Sequence, residues 1–188
     1  MVYDDLRIAL ERKKRIKAAY EQEYEIKWDM IHISERISIM LPEGAAELEE
    51  EKSIKRFGRN ENKRIVMTIP GDEANFLFQF QRSTVNGPES VQAMCDSLKN
   101  MIMRLQPANY FYSDGMEDTD HVDIRWFDFE SFALDGKMYN FIFCASVKFL
   151  DELLIGSFHC REEKADIWKP IFVDSVYSIK GLEEKDET

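Results

Sequence analysis

Apolar and aromatic residues crowd the stretch 122–160 in three runs, VDIRWFDFESFA, GKMYNFIFCASV and ELLIGSFHC. Each run is dense in β-branched and aromatic side chains, which predicts three consecutive strands, and Asp135-Gly136 between the first two is a strong hairpin signal. A two-residue turn there pairs Leu134 with Lys137 and sets Phe127 opposite Cys144 and Phe129 opposite Ile142. With the next turn centred near Leu150, the third strand adds Leu154, Gly156, Phe158 and Cys160 to that face. Trp126, Phe132, Tyr139, Phe141, Phe143, Leu153 and Ile155 take the other face. A sheet with one wet face alternates apolar with polar residues, so a sheet apolar on both faces must be covered on both. The expected class is therefore α+β: an antiparallel β-sheet covered by helices on both faces, an α/β/α sandwich.

Elsewhere the period changes. Residues 4–23 follow a helical period with a narrow apolar stripe of Leu6, Leu10, Ile16, Tyr20 and Tyr24 among many charges. Alternation then takes over through Ile26, Trp28, Ile31, Ile33, Ile37, Ile39 and Leu41, which predicts two strands ending at Leu41-Pro42-Glu43-Gly44. Residues 45–57 predict a short surface helix. Residues 64–69 and 75–81 predict strands joined across Pro70-Gly71-Asp72-Glu73. The strongest helix begins at Pro88, with Val91, Met94, Cys95, Leu98, Met101, Ile102 and Leu105 at helical spacing. A short strand over 109–112 leads into an acidic loop, SDGMEDTDHVD. After the meander, Pro170 argues for a turn through Trp168 followed by a helix starting at Pro170. The expected organisation is a charged N-terminal helix over 1–23, one domain over 24–180 and a charged tail over 181–188.

Composition narrows the function classes. Lys plus Arg number 25 against 36 for Asp plus Glu, a net charge of -11 that repels nucleic-acid phosphates and anionic membranes alike. Cys95, Cys144 and Cys160 are an odd set without CxxC spacing, expected to be free, buried thiols. No apolar run approaches the roughly 18 residues of a membrane span, and the first residues lack an apolar signal core, so a cytoplasmic location is expected. No phosphate-cradling glycine motif occurs, and no cofactor is expected. Asp114, Glu117, Asp118, Asp120 and Asp123 invite a calcium reading, yet lack the EF-hand spacing; no HxH or HExxH motif points to zinc. The catalytic candidates are Asp128, Glu130, Ser157 and His159, which the expected register places on one face, with Glu130 and His159 flanking Phe141.

The order of elements, together with Leu41-Pro42-Glu43-Gly44, Gly136-Lys137-Met138-Tyr139-Asn140, Leu154-Ile155-Gly156-Ser157-Phe158-His159-Cys160 and Trp168-Lys169-Pro170, resembles the bacterial branch of the Mog1/PsbP-like superfamily over residues 24–180. The resemblance implies binding without catalysis, since that superfamily includes photosystem extrinsic subunits, a small-GTPase partner and chaperones of secreted effectors. The expected function is a protein-interaction or chaperone-like module, with a hydrolase using the acidic and histidine cluster as the alternative. The N-terminal helix precedes the matched region and is too thinly apolar to dock firmly. Leu6, Leu10, Arg12, Lys13, Lys14, Arg15, Lys17 and Tyr20 are therefore the candidate partner-binding residues, for a protein partner or for self-association.

Overall fold

The computed structural model describes residues 26–58, 64–82, 87–134, 136–148 and 150–182. Its strands are β1 (Trp28–Ser34), β2 (Ile37–Pro42), β3 (Ala46–Glu47), β4 (Arg64–Thr68), β5 (Ala74–Arg82), β6 (Tyr110–Asp118), β7 (Val122–Ala133), β8 (Gly136–Val147), β9 (Glu152–Arg161) and β10 (Lys180–Gly181). Its helices are α1 (Glu50–Phe57), α2 (Pro88–Leu105) and α3 (Ala165–Tyr177). The class is α+β, dominated by one antiparallel sheet of seven strands in the order β3-β4-β5-β9-β8-β7-β6. A second sheet, β1-β2-β10, was not separated from the first by the pattern of alternation alone.

Consecutive strand residues point to opposite sides, and β7 shows the consequence. Ile124 and Trp126 join a large core cluster with Phe76, Phe141, Phe158, Trp168 and Phe172. Phe127 and Phe129 join a smaller one with Val91 and Cys95 of α2, Cys144 and Leu153. The large cluster also takes in Ile37, Ile39 and Leu41, so β2 shares with α3 the covering of that face. Ser178, just past α3, accepts from the Met40 amide through its Oγ at 2.8 Å and ties the small sheet to the helix end.

The meander forms with two shifts of register. Ala133 pairs with Gly136 and Phe127 with Ile142, so the first turn lies one residue earlier than Asp135-Gly136. Pairing slips by two residues, which leaves every side chain on its expected face. The second connection holds four residues, 148–151, between Val147 and Glu152. An even loop cannot centre on Leu150, and Leu150 is itself buried in the core. The resulting one-residue slip turns β9 over. Leu154, Phe158 and Cys160 lie with Trp126 and Phe141, whereas Leu153 and Ile155 lie with Phe127, the reverse of expectation. Gly156 then sits across from Phe143, whose ring occupies the space that a Cβ would need.

Helix α3 runs unbroken from Ala165 through Pro170, correcting the expected start at Pro170. Pro170 forfeits the bond to the carbonyl of Asp166, and Asp166 is an exposed residue, which keeps the cost of a proline here small. The buried face of α2 is narrower than its apolar spacing suggests, since Met101 and Leu105 are exposed.

Candidate functional site at the open sheet edge

The four catalytic candidates do not converge. Asp128 pairs across β8 with Phe141, which pairs with Phe158, so Asp128 and Glu130 share the face of the large core. Ser157 and His159 pair with Ile142 and Asn140 and point to the opposite face. The one-residue slip in β9 is the cause. His159 instead packs against the ring of Phe57 in α1, with centroids 5.5 Å apart. Burial, with Arg56 nearby, pushes its pKa down to about 4.

That depression makes a pH prediction. An unfolded-chain histidine titrates near 6.5, so between about 6.5 and 4 the unfolded chain binds the proton and the folded one does not. Stability contributed by neutral His159 is complete above pH 6.5 and is lost as the pH falls towards 4, by about 2–3 kcal/mol. His159→Phe keeps the ring contact and removes the titration. Urea midpoints at pH 7 and pH 4.5 should fall less for the variant than for the wild type. Equal falls would show that His159 is as solvated folded as unfolded.

Asp128 is fully buried and anchors a polar network. Its Oδ1 accepts from the Ser113 amide at 2.7 Å and the Ser113 hydroxyl at 2.8 Å, and its Oδ2 accepts from Tyr139 at 2.7 Å and Lys169 at 2.5 Å. Lys169 also donates to the Ser113 Oγ at 2.7 Å. Beside it, Glu130 accepts from Tyr112 at 2.8 Å and pairs with Lys137 at 2.7 Å, and these partners hold its carboxyl below the usual range. Burial and the Asp128 contact raise the Tyr139 hydroxyl, so it stays a donor. With its donors in place, Asp128 is suited to holding structure together and has no free lone pair aimed at a substrate.

The structure held by Asp128 is the edge of the sheet. The expected acidic loop is instead most of β6, which pairs with β7 from Tyr110 to Asp118 around a bulge between Phe111 and Asp114. Ser113 lies in that bulge, and Asp128 accepts the amide that the ladder leaves unpaired. The acidic side chains are engaged separately: Asp118 with Arg125, Asp114 with Lys99 at 3.2 Å, and Asp123 with Lys148 at 3.6 Å. Among the described residues, no three His, Cys, Asp or Glu side chains gather as a metal site.

Among the described residues β6 is the outermost strand, and no further strand pairs with its free side. Tyr110 is 64% exposed and Tyr112 46% on the Glu130 face of this edge, and Met116 is 66% exposed on the opposite face, beside α2. Edge strands of this length invite pairing unless blunted. A cleft of about 330 Å³ runs between β6 and α2, lined by Gln92, Cys95, Lys99, Met116, Arg125 and Phe127. Arg125 is committed to Asp118 and Gln92, and Lys99 to Asp114, so the cleft offers an apolar floor with neutralised charge. The strand 109–112 was legible in the sequence, but its extension was hidden by Asp, Gly and Ser, which signal loops. Lys169 stood in the Trp168-Lys169-Pro170 motif with no sign of its partner. The candidate binding residues Leu6, Leu10, Arg12, Lys13, Lys14, Arg15, Lys17 and Tyr20 lie outside the described residues.

A large antiparallel sheet with a bulged open edge, a long helix beside it and a C-terminal helix closing the core is the Mog1/PsbP-like fold, and this chain has it. It is similar to the cyanobacterial PsbP (CyanoP) of Synechocystis sp. PCC 6803, with a TM-score of 0.60 at 8% identity over 84% of this chain and 94% of that one. It is also similar to the Saccharomyces cerevisiae Ran-binding protein Mog1p, with a TM-score of 0.52 at 8% identity over 82% and 95%. LpqN, involved in cell envelope biogenesis of Mycobacterium tuberculosis, matches with a TM-score of 0.54 at 10% identity over 88% and 96%. At these identities the likeness is one of fold. No family model matches the chain, and no curated protein does. Among the described residues, no helix is long and apolar enough to cross a membrane.

Proposed function

We propose that the chain is a non-catalytic protein-interaction module that binds a second copy of itself, with the N-terminal segment of one copy docking along the β6 edge of the other. The observation that carries this reading is the edge strand β6, with Tyr110 and Tyr112 exposed on one face, Met116 on the other, and the exposed acidic residues Glu117 and Asp120 at its end. Charge supports the choice of occupant. Arg12, Lys13, Lys14, Arg15 and Lys17 form a concentrated basic run in a chain of net charge -11, and the adjoining Leu6, Leu10 and Tyr20 supply apolar groups to match. In this reading helices cover both faces of the seven-stranded sheet, as in an α/β/α sandwich, which leaves the edge as the surface available for docking.

The Ran-binding protein Mog1p has a similar fold, which supports an interaction module over an enzyme. The separation of Asp128 and Glu130 from Ser157 and His159 gives the hydrolase alternative no common site. A cytoplasmic setting suits the three unbridged cysteines.

The experiment is light scattering on the full chain and on a form lacking residues 1–22, at low and high salt. The full chain is expected to self-associate and to lose association in high salt, while the shortened form stays folded and monomeric. Met116→Lys should weaken association in the full chain as the deletion does. If full and shortened chains are both monomers at either salt, the reading fails; association that survives the deletion would move the interface elsewhere.

A further inference from the structure

Two of the three cysteines meet. Cys95 lies on α2 and Cys144 on β8, both inside the smaller core cluster. The contact follows from neighbouring interactions. Arg125 pairs directly across the sheet with Cys144 and donates through Nε to Gln92 Oε1 at 2.9 Å. Gln92 and Cys95 are three residues apart on α2 and therefore share a helix face, which brings Cys95 down beside Cys144. The two thiols thus share one buried cluster and lie near enough to influence each other's ionisation. Cys160 lies on the opposite face of the sheet, in the large core.

The two sulfurs differ in access and charge. Cys95 lines the α2–β6 cleft and keeps 5% of its surface exposed there. Cys144 is fully buried beneath it. The neighbouring Cys144 thiol lowers the pKa of Cys95 against the opposing effect of burial, whereas the same neighbour contact and burial both raise that of Cys144. Burial pushes Cys160 up to about 12, leaving it an inert thiol.

We propose that Cys95 and Cys144 form an oxidisable dithiol, in which Cys95 is the point of attack on a peroxide and Cys144 then closes a disulfide between α2 and the sheet. In the first step the Cys95 thiolate attacks one peroxide oxygen, the O–O bond breaks, and the departing oxygen takes a proton and leaves as water or an alcohol. Cys95 is left as the sulfenic acid. In the second step the Cys144 sulfur attacks the Cys95 sulfur, the S–O bond breaks, and hydroxide leaves as water with the Cys144 proton. Two thiols are oxidised by two electrons in all, and one peroxide is reduced by two. Closing the bond brings the two sulfurs to about 2.05 Å, the length of a disulfide. Such a shift draws α2 onto the sheet and narrows the cleft in which Cys95 stands. A thiol or dithiol reductant reverses it by exchange.

The test uses the native full chain, freed of reductant and treated with hydrogen peroxide, then denatured, alkylated and digested without reduction. Mass spectrometry should find a peptide linked through Cys95 and Cys144, with Cys160 alkylated, and one peroxide consumed per chain. Cys144→Ser should leave Cys95 as a sulfenic acid that dimedone traps, and Cys95→Ser should leave Cys144 unoxidised. Sulfoxide at the exposed Met30, Met101, Met103 and Met116 is counted in the same digest and subtracted from the peroxide consumed. The proposal is overturned if the wild-type protein yields no linked peptide at peroxide levels that oxidise Met116, if Cys95 goes directly to sulfinic acid, or if the link forms only after denaturation. Because the linked peptide is sought in the wild-type protein, a variant that fails to fold does not remove the test.

Discussion

Replacing Asp128 with Ala is expected to destabilise the fold by about 3–5 kcal/mol, because it removes a buried carboxylate and leaves its donors, the buried Tyr139 hydroxyl among them, unpaired. Lys169, Tyr139 and the Ser113 amide and hydroxyl all donate to this one carboxylate. Tyr139 is buried in the core and has no solvent to turn to. Lys169 is better placed, since its side chain is 37% exposed and can swing outward. Lys169→Met should therefore cost less than Asp128→Ala, although it leaves a carboxylate that still has three donors. The double variant should lie nearer to Lys169→Met than the two losses added together would place it, with a coupling that a double-mutant cycle isolates. Local consequences should match. The bulge in β6 depends on Asp128 for its unpaired amide, so hydrogen exchange at Ser113 should rise in Asp128→Ala before the rest of β6 is affected. Urea midpoints indistinguishable from wild type would mean that the network contributes nothing beyond what water would supply.

Much of this architecture was legible in the alternation of β7 and β8. Aromatic and β-branched residues on both sides of those strands foretold two buried faces, and a two-residue error in the first turn did no harm, because a shift by an even number preserves every face. The odd error in the second turn was costly. It placed Ser157 and His159 beside Asp128 and Glu130, and so assembled a cluster that the sheet in fact divides. Loop parity is set by how Leu150 packs into the core, and that is a tertiary fact absent from local pattern. The same limit hid β6, where Gly115 has a specific reason to be glycine. A Cβ there would meet the indole of Trp126 at 2.4 Å, so the residue marks a close approach between neighbouring strands and no turn. Pro170 misled in the opposite sense, because its helical cost depends on whether the carbonyl four residues earlier can reach water. The odd count and the lack of CxxC spacing predicted free thiols but carried no sign that α2 and β8 place Cys95 and Cys144 in one cluster.

Trp168→Ala is expected to cost about 3–5 kcal/mol. Trp168 is 4% exposed and stacks on Phe172 at a centroid distance of 5.7 Å, with Phe76 edge-on at 6.3 Å. Phe172 in turn meets Phe158 at 5.4 Å and Phe141 at 6.1 Å, so the indole closes one end of an aromatic cluster spanning α3 and three strands of the sheet. Alanine leaves a cavity that these flat rings, held by strand pairing, cannot collapse to fill. In a domain of this size such a loss lowers Tm by roughly 6–20 °C. A second substitution separates packing from hydrogen bonding. The indole Nε1 is buried and has no hydrogen-bond partner among the described residues, and an unsatisfied donor of that kind costs about 1–3 kcal/mol. Trp168→Phe keeps most of the ring contact and removes the orphan donor, so its volume loss is largely offset and its stability should lie within about 1 kcal/mol of wild type. The pair of variants thus makes a stringent test by thermal and chemical unfolding. A large loss in Ala with little change in Phe is the expected pattern. Equal large losses would show that Nε1 has a partner in solution, and no loss in either would show that α3 is not held to the sheet through this ring.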